Sequence, residues 1–167
     1  MNIKPTILLT GGTIDKEYNV ATSNLDFSCL HIPKILNEAR VNHDYNIETM
    51  FRLKDSVDMD IHDREEMLSK IKYNDRTLIV HGTSTMIETA KYLQKHMNLT
   101  ENRVVVLTGA FIPYIIKNSD AMFNIGFALG VLKYLTKGIY IAMNGEVFDI
   151  AEGVEKNNNQ FRRIYNG

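Results

Sequence analysis

Arg103 to Leu107, RVVVL, is nearly pure valine, and a β-branched run with no polar alternation predicts a strand buried on both faces. Such a strand needs a layer of helices on each side of its sheet. Thr6 to Thr10 (TILLT), Leu78-Ile79-Val80 and Gly138 to Met143 (GIYIAM) read the same way, and Asn46 to Leu53 reads as a strand between the first two. Helical spacing fills the gaps. One helix runs from Ile32 to Arg40, opened by Pro33, with Ile32, Ile35, Leu36 and Ala39 inside. A second is capped by Asp60 or Asp63 and runs to about Tyr73 over Met67, Leu68 and Ile71. A third starts at Thr85 and a fourth, capped by Ser119, reaches about Leu135. Strands alternating with helices predict right-handed βαβ units on a mostly parallel sheet, a three-layer α/β fold with helices on both faces.

This is the doubly wound, Rossmann- or flavodoxin-like arrangement. At 167 residues the chain is expected to form one domain, 1–167. Nineteen basic against 20 acidic residues leave a net charge of −1, which gives no electrostatic case for nucleic acid or an anionic membrane. Cys29 is the only cysteine, so there is no internal disulfide and no thiol-rich metal site. His31, His43, His62, His81 and His96 show no paired ligand spacing, and neither a metal nor a cofactor is expected. The N-terminal MNIKPTILLTGG turns polar too soon for a signal segment, and no run approaches about 20 apolar residues. A cytoplasmic protein is expected. Between the elements, Gly12 to Ser28 reads as a long loop and Lys54 to Asp60 as a polar turn. Asn144-Gly145 is a hairpin turn into Glu146-Val147-Phe148, and Asp149 to Gly167 reads as a polar tail carrying Lys156.

In doubly wound sheets, ligands bind outside the carboxyl ends of the strands. The polar turns there would share one rim: Gly11-Gly12-Thr13, Asp55-Ser56, Gly82-Thr83-Ser84 and Gly109-Ala110. The stretch TLIVHGTSTMIETA, Thr77 to Ala90, is central to it. A strand and tight turn lead into a helix, whose start has the capping-box spacing Thr85 to Glu88 and the apolar positions Met86, Ile87, Ala90 and Leu93. Free N–H groups and the positive end of the helix dipole would meet the hydroxyls of Thr83 and Ser84. Those hydroxyls either cap the helix or serve a small anion or a carbonyl carbon. His81 reads as a packed, hydrogen-bonded histidine rather than a base. Neither a G-x-G-x-x-G nor a P-loop spacing is present.

Taken together, these turns resemble the bacterial-type L-asparaginases, specifically their N-terminal domain. The likeness is carried by Thr10-Gly11-Gly12-Thr13-Ile14, Asp55-Ser56 with Met59, and His81-Gly82-Thr83 with Thr85-Met86 and Glu88-Thr89. It continues through Thr108-Gly109-Ala110 with Pro113, Ser119-Asp120, and Met143-Asn144-Gly145 leading to Val154-Glu155-Lys156. These pieces stand in the family's order over nearly the whole chain. The stretches GGTIDKEY and IPYIIKNSDAMFNIGFALG look like those of short single-domain relatives, so the family's C-terminal domain is expected to be absent.

The resemblance implies amide hydrolysis through a threonine acyl-enzyme, without metal or cofactor, on a small amino-acid amide. It implies Thr13 as nucleophile, with Tyr18 as the candidate tyrosine that activates it. It pairs Thr83 with Lys156, gives Ser56 the substrate's α-carboxylate and gives the Ala110 carbonyl its side-chain amide. Asp55 and Gly82 complete the binding rim, and the N–H groups of Gly12, Thr13 and the Gly82-Thr83 turn are the expected oxyanion donors. A homo-oligomer, dimer or tetramer, is also implied. Ser84 departs from the pattern, because the family has aspartate there, pairing with the substrate's ammonium and with the lysine. Trading that charge-assisted contact for a neutral one costs on the order of 1–2 kcal/mol, or roughly 5–30-fold. Asp55, Asp58 or Asp120 are the candidates to restore the charge. Two functions are therefore carried forward: an asparaginase-like amidohydrolase weakened at Ser84, and a catalytically silent domain that binds a small amino acid or serves as a subunit.

Overall fold

A computed structural model describes residues 4–97 and 102–164. The two ends of the sequence reading, 1–3 and 165–167 of the polar tail, lie outside the described residues. The main sheet has six strands in the order β4-β1-β5-β6-β7-β8. These are β1 (Thr6–Gly11), β4 (Asn46–Lys54), β5 (Arg76–Val80), β6 (Val104–Thr108), β7 (Gly138–Met143) and β8 (Glu146–Asp149). The first five are parallel and β8 runs antiparallel along β7.

Helices α1 (Ile32–Glu38) and α4 (Ala121–Leu132) cover one face. There Ile32, Ile35, Ala121, Ile125, Ala128 and Leu132 pack on the sheet residues Ile7, Leu9, Leu78, Val80, Val104 and Val106. Helices α2 (Ile61–Ile71) and α3 (Met86–His96) cover the other, with Met67, Ile71, Met86, Ala90 and Leu93 against Leu8, Ile79, Val105 and Leu107. Strands β1, β5, β6 and β7 are buried on both faces, as their unbroken apolar runs predict. The fold is thus the three-layer α/β sandwich expected. Asn144 and Gly145 turn β7 into β8 with φ of 56° and 77°, the double positive pair of a type I′ hairpin.

The structure corrects several local expectations. Gly12 to Ser28 is not a long loop. It holds a short 3₁₀ turn, Thr13–Asp15, and a hairpin of β2 (Lys16–Asn19) and β3 (Asn24–Phe27). The polar tail likewise contains a hairpin, β9 (Val154–Asn157) and β10 (Gln160–Arg163). Both ribbons are short and largely polar, so no apolar alternation marks them. Val154 and Phe161 are buried and dock the second ribbon on the α2/α3 core. β4 also departs from the buried pattern. It is the edge of the sheet, only Met50 is buried along it, and Phe51 is 86% exposed. Its Glu48, Arg52 and Lys54 are the charges that keep an open edge from pairing further.

Helix starts differ as well. Asp60 caps α2, accepting from His62 N and Asp63 N, while Asp63 reaches back to Asp60 N. Thr85 occupies the N-cap of α3, but the expected box with Glu88 does not form. Its hydroxyl instead donates to Ser56 O at 2.6 Å. Asp120, not Ser119, is the N-cap of α4, although Ser119 Oγ accepts from Ala121 N. Within α1, Ala39 falls beyond the helix and is exposed.

Burial decides which side chains carry stability. Ile79→Ala removes a fully buried side chain from β5 and is expected to lower the unfolding free energy by about 2–5 kcal/mol. Phe51→Ala, on the open edge, is expected to change it by no more than about 0.5 kcal/mol. Urea denaturation of the two variants measures both.

Candidate functional site

After β1 the chain crosses to β4 on one side, then returns to β5 on the other. The carboxyl ends of β4, β1 and β5 therefore meet at a topological switch point, where doubly wound sheets bind ligands. A cavity of about 250 Å³ opens there, lined by Thr13, Asp55, Ser56, Val57, Gly82, Thr83 and Ser84.

Three turns are pressed together to make it. Gly11 and Gly12 follow an irregular step in the β1–β4 register and have φ of 107° and 86°. A Cβ on Gly12 would lie 2.6 Å from Gly82 N, and one on Gly82 would lie 2.6 Å from Ser56 Oγ. Only glycine permits this approach of backbone to backbone. Buried hydroxyls lace the strand ends beneath: Thr10 Oγ1 donates to Val80 O, and Thr108 Oγ1 to Ala142 O, at 2.9 and 2.8 Å. Ser56 is buried, and its Oγ accepts from Thr85 N at 3.3 Å.

Six residues named from the sequence line the cavity: Thr13, Asp55, Ser56, Gly82, Thr83 and Ser84. Lys156 reaches them from β9. Its Nζ donates to Thr83 O at 3.1 Å and lies 3.4 Å from Thr83 Oγ1. The ammonium also sits over the Phe111 ring, 5.3 Å from its centroid. Burial pushes its pKa below the ordinary lysine value, against a smaller upward pull from Glu88. Ser84 is exposed beside Thr83 and brings no charge. Of the three aspartates named from the sequence beside Ser84, Asp55 is held by Lys16 at 2.6 Å. Asp120 is committed to Phe111 N, Ile112 N and Asn124. Asp58 is exposed. Glu88, which the sequence reading placed in a capping box, is the acidic group that Lys156 feels.

Three expectations fare differently. Tyr18 is 60% exposed on β2, paired across the hairpin with Leu25, and does not line the cavity. Ala110 is buried just beyond β6 and is not among the lining residues either. The Gly12 amide is already taken by Lys54 O at 3.1 Å, so it is not available to an oxyanion. The sequence reading missed Val57 on the cavity wall, Phe111 under Lys156 and Lys16 on Asp55. Val57 follows the Asp55-Ser56 motif directly and could have been named from it, whereas the other two depend on tertiary approach.

His81 behaves as read. Its Nδ1 bonds Gly82 O at 2.8 Å and its Nε2 meets Thr89 Oγ1 at 3.0 Å, where Arg64 Nε also donates. Burial drives its pKa down to about 4, so the ring is neutral and fixes the Gly82 peptide.

Fold and rim together define a doubly wound α/β domain with a hydroxyl-lined pocket at its switch point and a lysine against one of the hydroxyls. A family model described as "Asparaginase, N-terminal" matches residues 4–165, and the chain belongs to that family. It is 29% identical over 162 residues to a "Probable L-asparaginase periplasmic" of Haemophilus influenzae, covering 85% of this chain and 43% of that protein. It is 26% identical to a "Glutaminase-asparaginase" of Acinetobacter glutaminasificans, covering 93% and 51%. Among solved structures, a "Probable Cytoplasmic L-asparaginase" from Campylobacter jejuni superposes with a TM-score of 0.81 at 26% identity, covering 97% of this chain and 53% of that one. A thermostable L-asparaginase from Thermococcus kodakarensis superposes with a TM-score of 0.78 at 27% identity, covering 97% and 51%. The chain spans about half the length of the curated relatives it matches. Among the described residues no helix is long and apolar enough to cross a membrane.

The buried His81 makes stability pH-dependent. Its folded pKa of about 4 lies below the ordinary 6.5, so the unfolded chain takes up the proton first as pH falls. The stabilisation is complete above pH 6.5 and is lost progressively toward pH 4, by roughly 3 kcal/mol in all. Urea midpoints measured across that range are expected to fall more steeply for the wild type than for His81→Gln.

Proposed function

We propose that this domain hydrolyses the side-chain amide of a small L-amino acid, with L-asparagine the first choice, giving the carboxylic acid and ammonia. The observation that carries the reading is Lys156 Nζ held against Thr83 across the pocket from Thr13. Thr13 Oγ1 attacks the amide carbon and the C–N bond breaks. The Thr13 hydroxyl proton is passed to the nitrogen, which leaves as ammonia, and water then cleaves the threonyl ester to give the carboxylic acid and restore Thr13. A threonine hydroxyl needs a neighbour to take its proton. Lys156, with its pKa lowered by burial, is the group suited to take one from Thr83 or from the incoming water. The amides of Thr13 and of the Gly82-Thr83 turn are the donors left for the oxyanion.

The pocket is below the roughly 300–1,000 Å³ of drug-sized sites, which favours a ligand the size of one amino acid. Ser56, which lines the pocket, would hold its α-carboxylate. Asp55, the acidic residue lining the cavity, would share its carboxylate between Lys16 and the substrate's ammonium, the contact that Ser84 does not supply. Tyr18 serves Thr13 only once the β2–β3 hairpin folds over the pocket. The same reading carries a homo-oligomer, dimer or tetramer, and a cytoplasmic location, and light scattering in solution checks the first.

Ammonia release from L-asparagine tests the proposal. Wild type is expected to turn over, and Thr13→Ala to fall by more than about 10³-fold. Lys156→Arg is not expected to rescue, because a guanidinium does not give up its proton. Ser84→Asp is expected to raise the rate by roughly 5–30-fold. Equal null rates for wild type, Thr13→Ala and Ser84→Asp over a panel of small amides would sink the enzyme reading. A rise in melting temperature with L-aspartate in that case would establish a silent binding domain.

A further inference from the structure

Away from the pocket, the β2–β3 hairpin gathers three metal-ligating atoms. Glu17 Oε1, on β2, lies 2.9 Å from His31 Nε2 at the start of α1. Cys29 Sγ, just past β3, lies 3.4 Å from His31 Nε2 and 3.5 Å from Glu17 Oε1. Among the described residues this is the group whose ligand atoms converge within 4.8 Å. Zinc bonds of about 2.3 Å to sulfur and about 2.0–2.1 Å to nitrogen and oxygen set the edges of a tetrahedron. Those edges are about 3.6 Å for S···N, about 3.5 Å for S···O and about 3.3 Å for N···O. The three distances already match within about 0.4 Å. We propose that Glu17, Cys29 and His31 form a binding site for a divalent cation of the zinc class, with water in the fourth position.

A second observation lies behind the imidazole. Asp15 is fully buried, and its Oδ1 accepts from His31 N at 2.7 Å and stands 3.5 Å from His31 Nδ1. Both His31 Nδ1 and Asp15 Oδ2 are buried without a hydrogen-bond partner. A metal on Nε2 requires the tautomer with its proton on Nδ1, which then faces the Asp15 carboxylate. Carboxylate, histidine and metal in that order is the usual way a ligating imidazole is oriented. Tyr114 packs its ring 5.2 Å from the imidazole and limits its rotation. Without a metal, a proton on Nε2 donates to Glu17 and leaves two acceptors, Nδ1 and the carboxylate, opposed in a buried place. The competing arrangement needs no metal: His31 Nε2 and the Cys29 thiol both donate to Glu17 Oε1.

The ion would tie the hairpin to α1 and, through Asp15, to the 3₁₀ turn that carries Thr13. Cys29 is exposed and Glu17 half-buried, so both can be replaced without opening the core. The experiment uses the full chain without a tag, titrated with Zn²⁺ by calorimetry and with Co²⁺ by absorption spectroscopy. The expected result is one Zn²⁺ per chain, a thiolate-to-cobalt charge-transfer band, and a higher melting temperature with Zn²⁺. Cys29→Ser is expected to abolish the band and weaken binding at least tenfold, and Glu17→Gln to weaken it at least about tenfold. The surface control His62→Gln is expected to leave binding unchanged. No binding by the wild type, or equal binding by wild type and Cys29→Ser, overturns the site. Neither Cys29 nor Glu17 lines the pocket, so this outcome is independent of amide hydrolysis.

Discussion

The approach of the Gly12 backbone to Gly82, and of Gly82 to Ser56, is the contact on which the site depends. Three turns from three neighbouring strands occupy the same few ångströms, and a single methyl group at either glycine would collide with backbone or with Ser56. The contact brings Thr13, Ser56 and Thr83 to one cavity although they are far apart in sequence. It also explains why hydroxyls recur here in two roles. Thr10 and Thr108 are fully buried and bond neighbouring strand ends, which holds the turns at fixed height. Thr13, Thr83 and Ser84 are one layer further out and face the cavity.

Around that contact the charges are arranged sparingly. Lys16 neutralises Asp55 at the cavity wall, and Lys156 approaches Thr83 with no ion pair among the described residues. Its cation is supported by the Phe111 ring, the Thr83 carbonyl and the more distant Glu88. A neutral Ser84 beside it leaves the lysine with less to stabilise its charged form. That favours loss of its proton and weakens any hold on an ammonium group. On the proposed reaction these two effects act in opposite directions, one on proton transfer and one on amino-acid binding.

The sheet was legible because its inner strands are mostly apolar runs without alternation: RVVVL and GIYIAM admit few other placements. The rim followed from topology, since turns after parallel strands must share one edge. What escaped was built from short polar ribbons. Lys16 pairs with Phe27 and Tyr18 with Leu25 in a hairpin whose residues show no apolar alternation. Lys156 sits among asparagines and looks like a solvated lysine, and only the packing of Val154 and Phe161 on either side of it turns the ribbon toward Thr83. The capping box failed for a related reason. Thr85 has a tertiary acceptor in Ser56 O, and a hydrogen bond across the site replaces the local one.

The hairpin that sequence patterning hid also lies between the pocket and the Glu17, Cys29 and His31 cluster. The 3₁₀ turn Thr13–Asp15 presents Thr13 to the pocket at one end and Asp15 to His31 at the other. A single residue, the buried Ile14, separates a cavity-lining hydroxyl from a fully buried carboxylate. Lys16, the next residue, reaches back to Asp55 on the cavity wall, and Glu17 then faces His31 and Cys29. Lys16 thus faces the pocket wall and Asp15 and Glu17 face His31, while Ile14 is buried in the core. An ion bound as proposed at His31 would hold Asp15 and, through it, one end of the short turn that begins at Thr13.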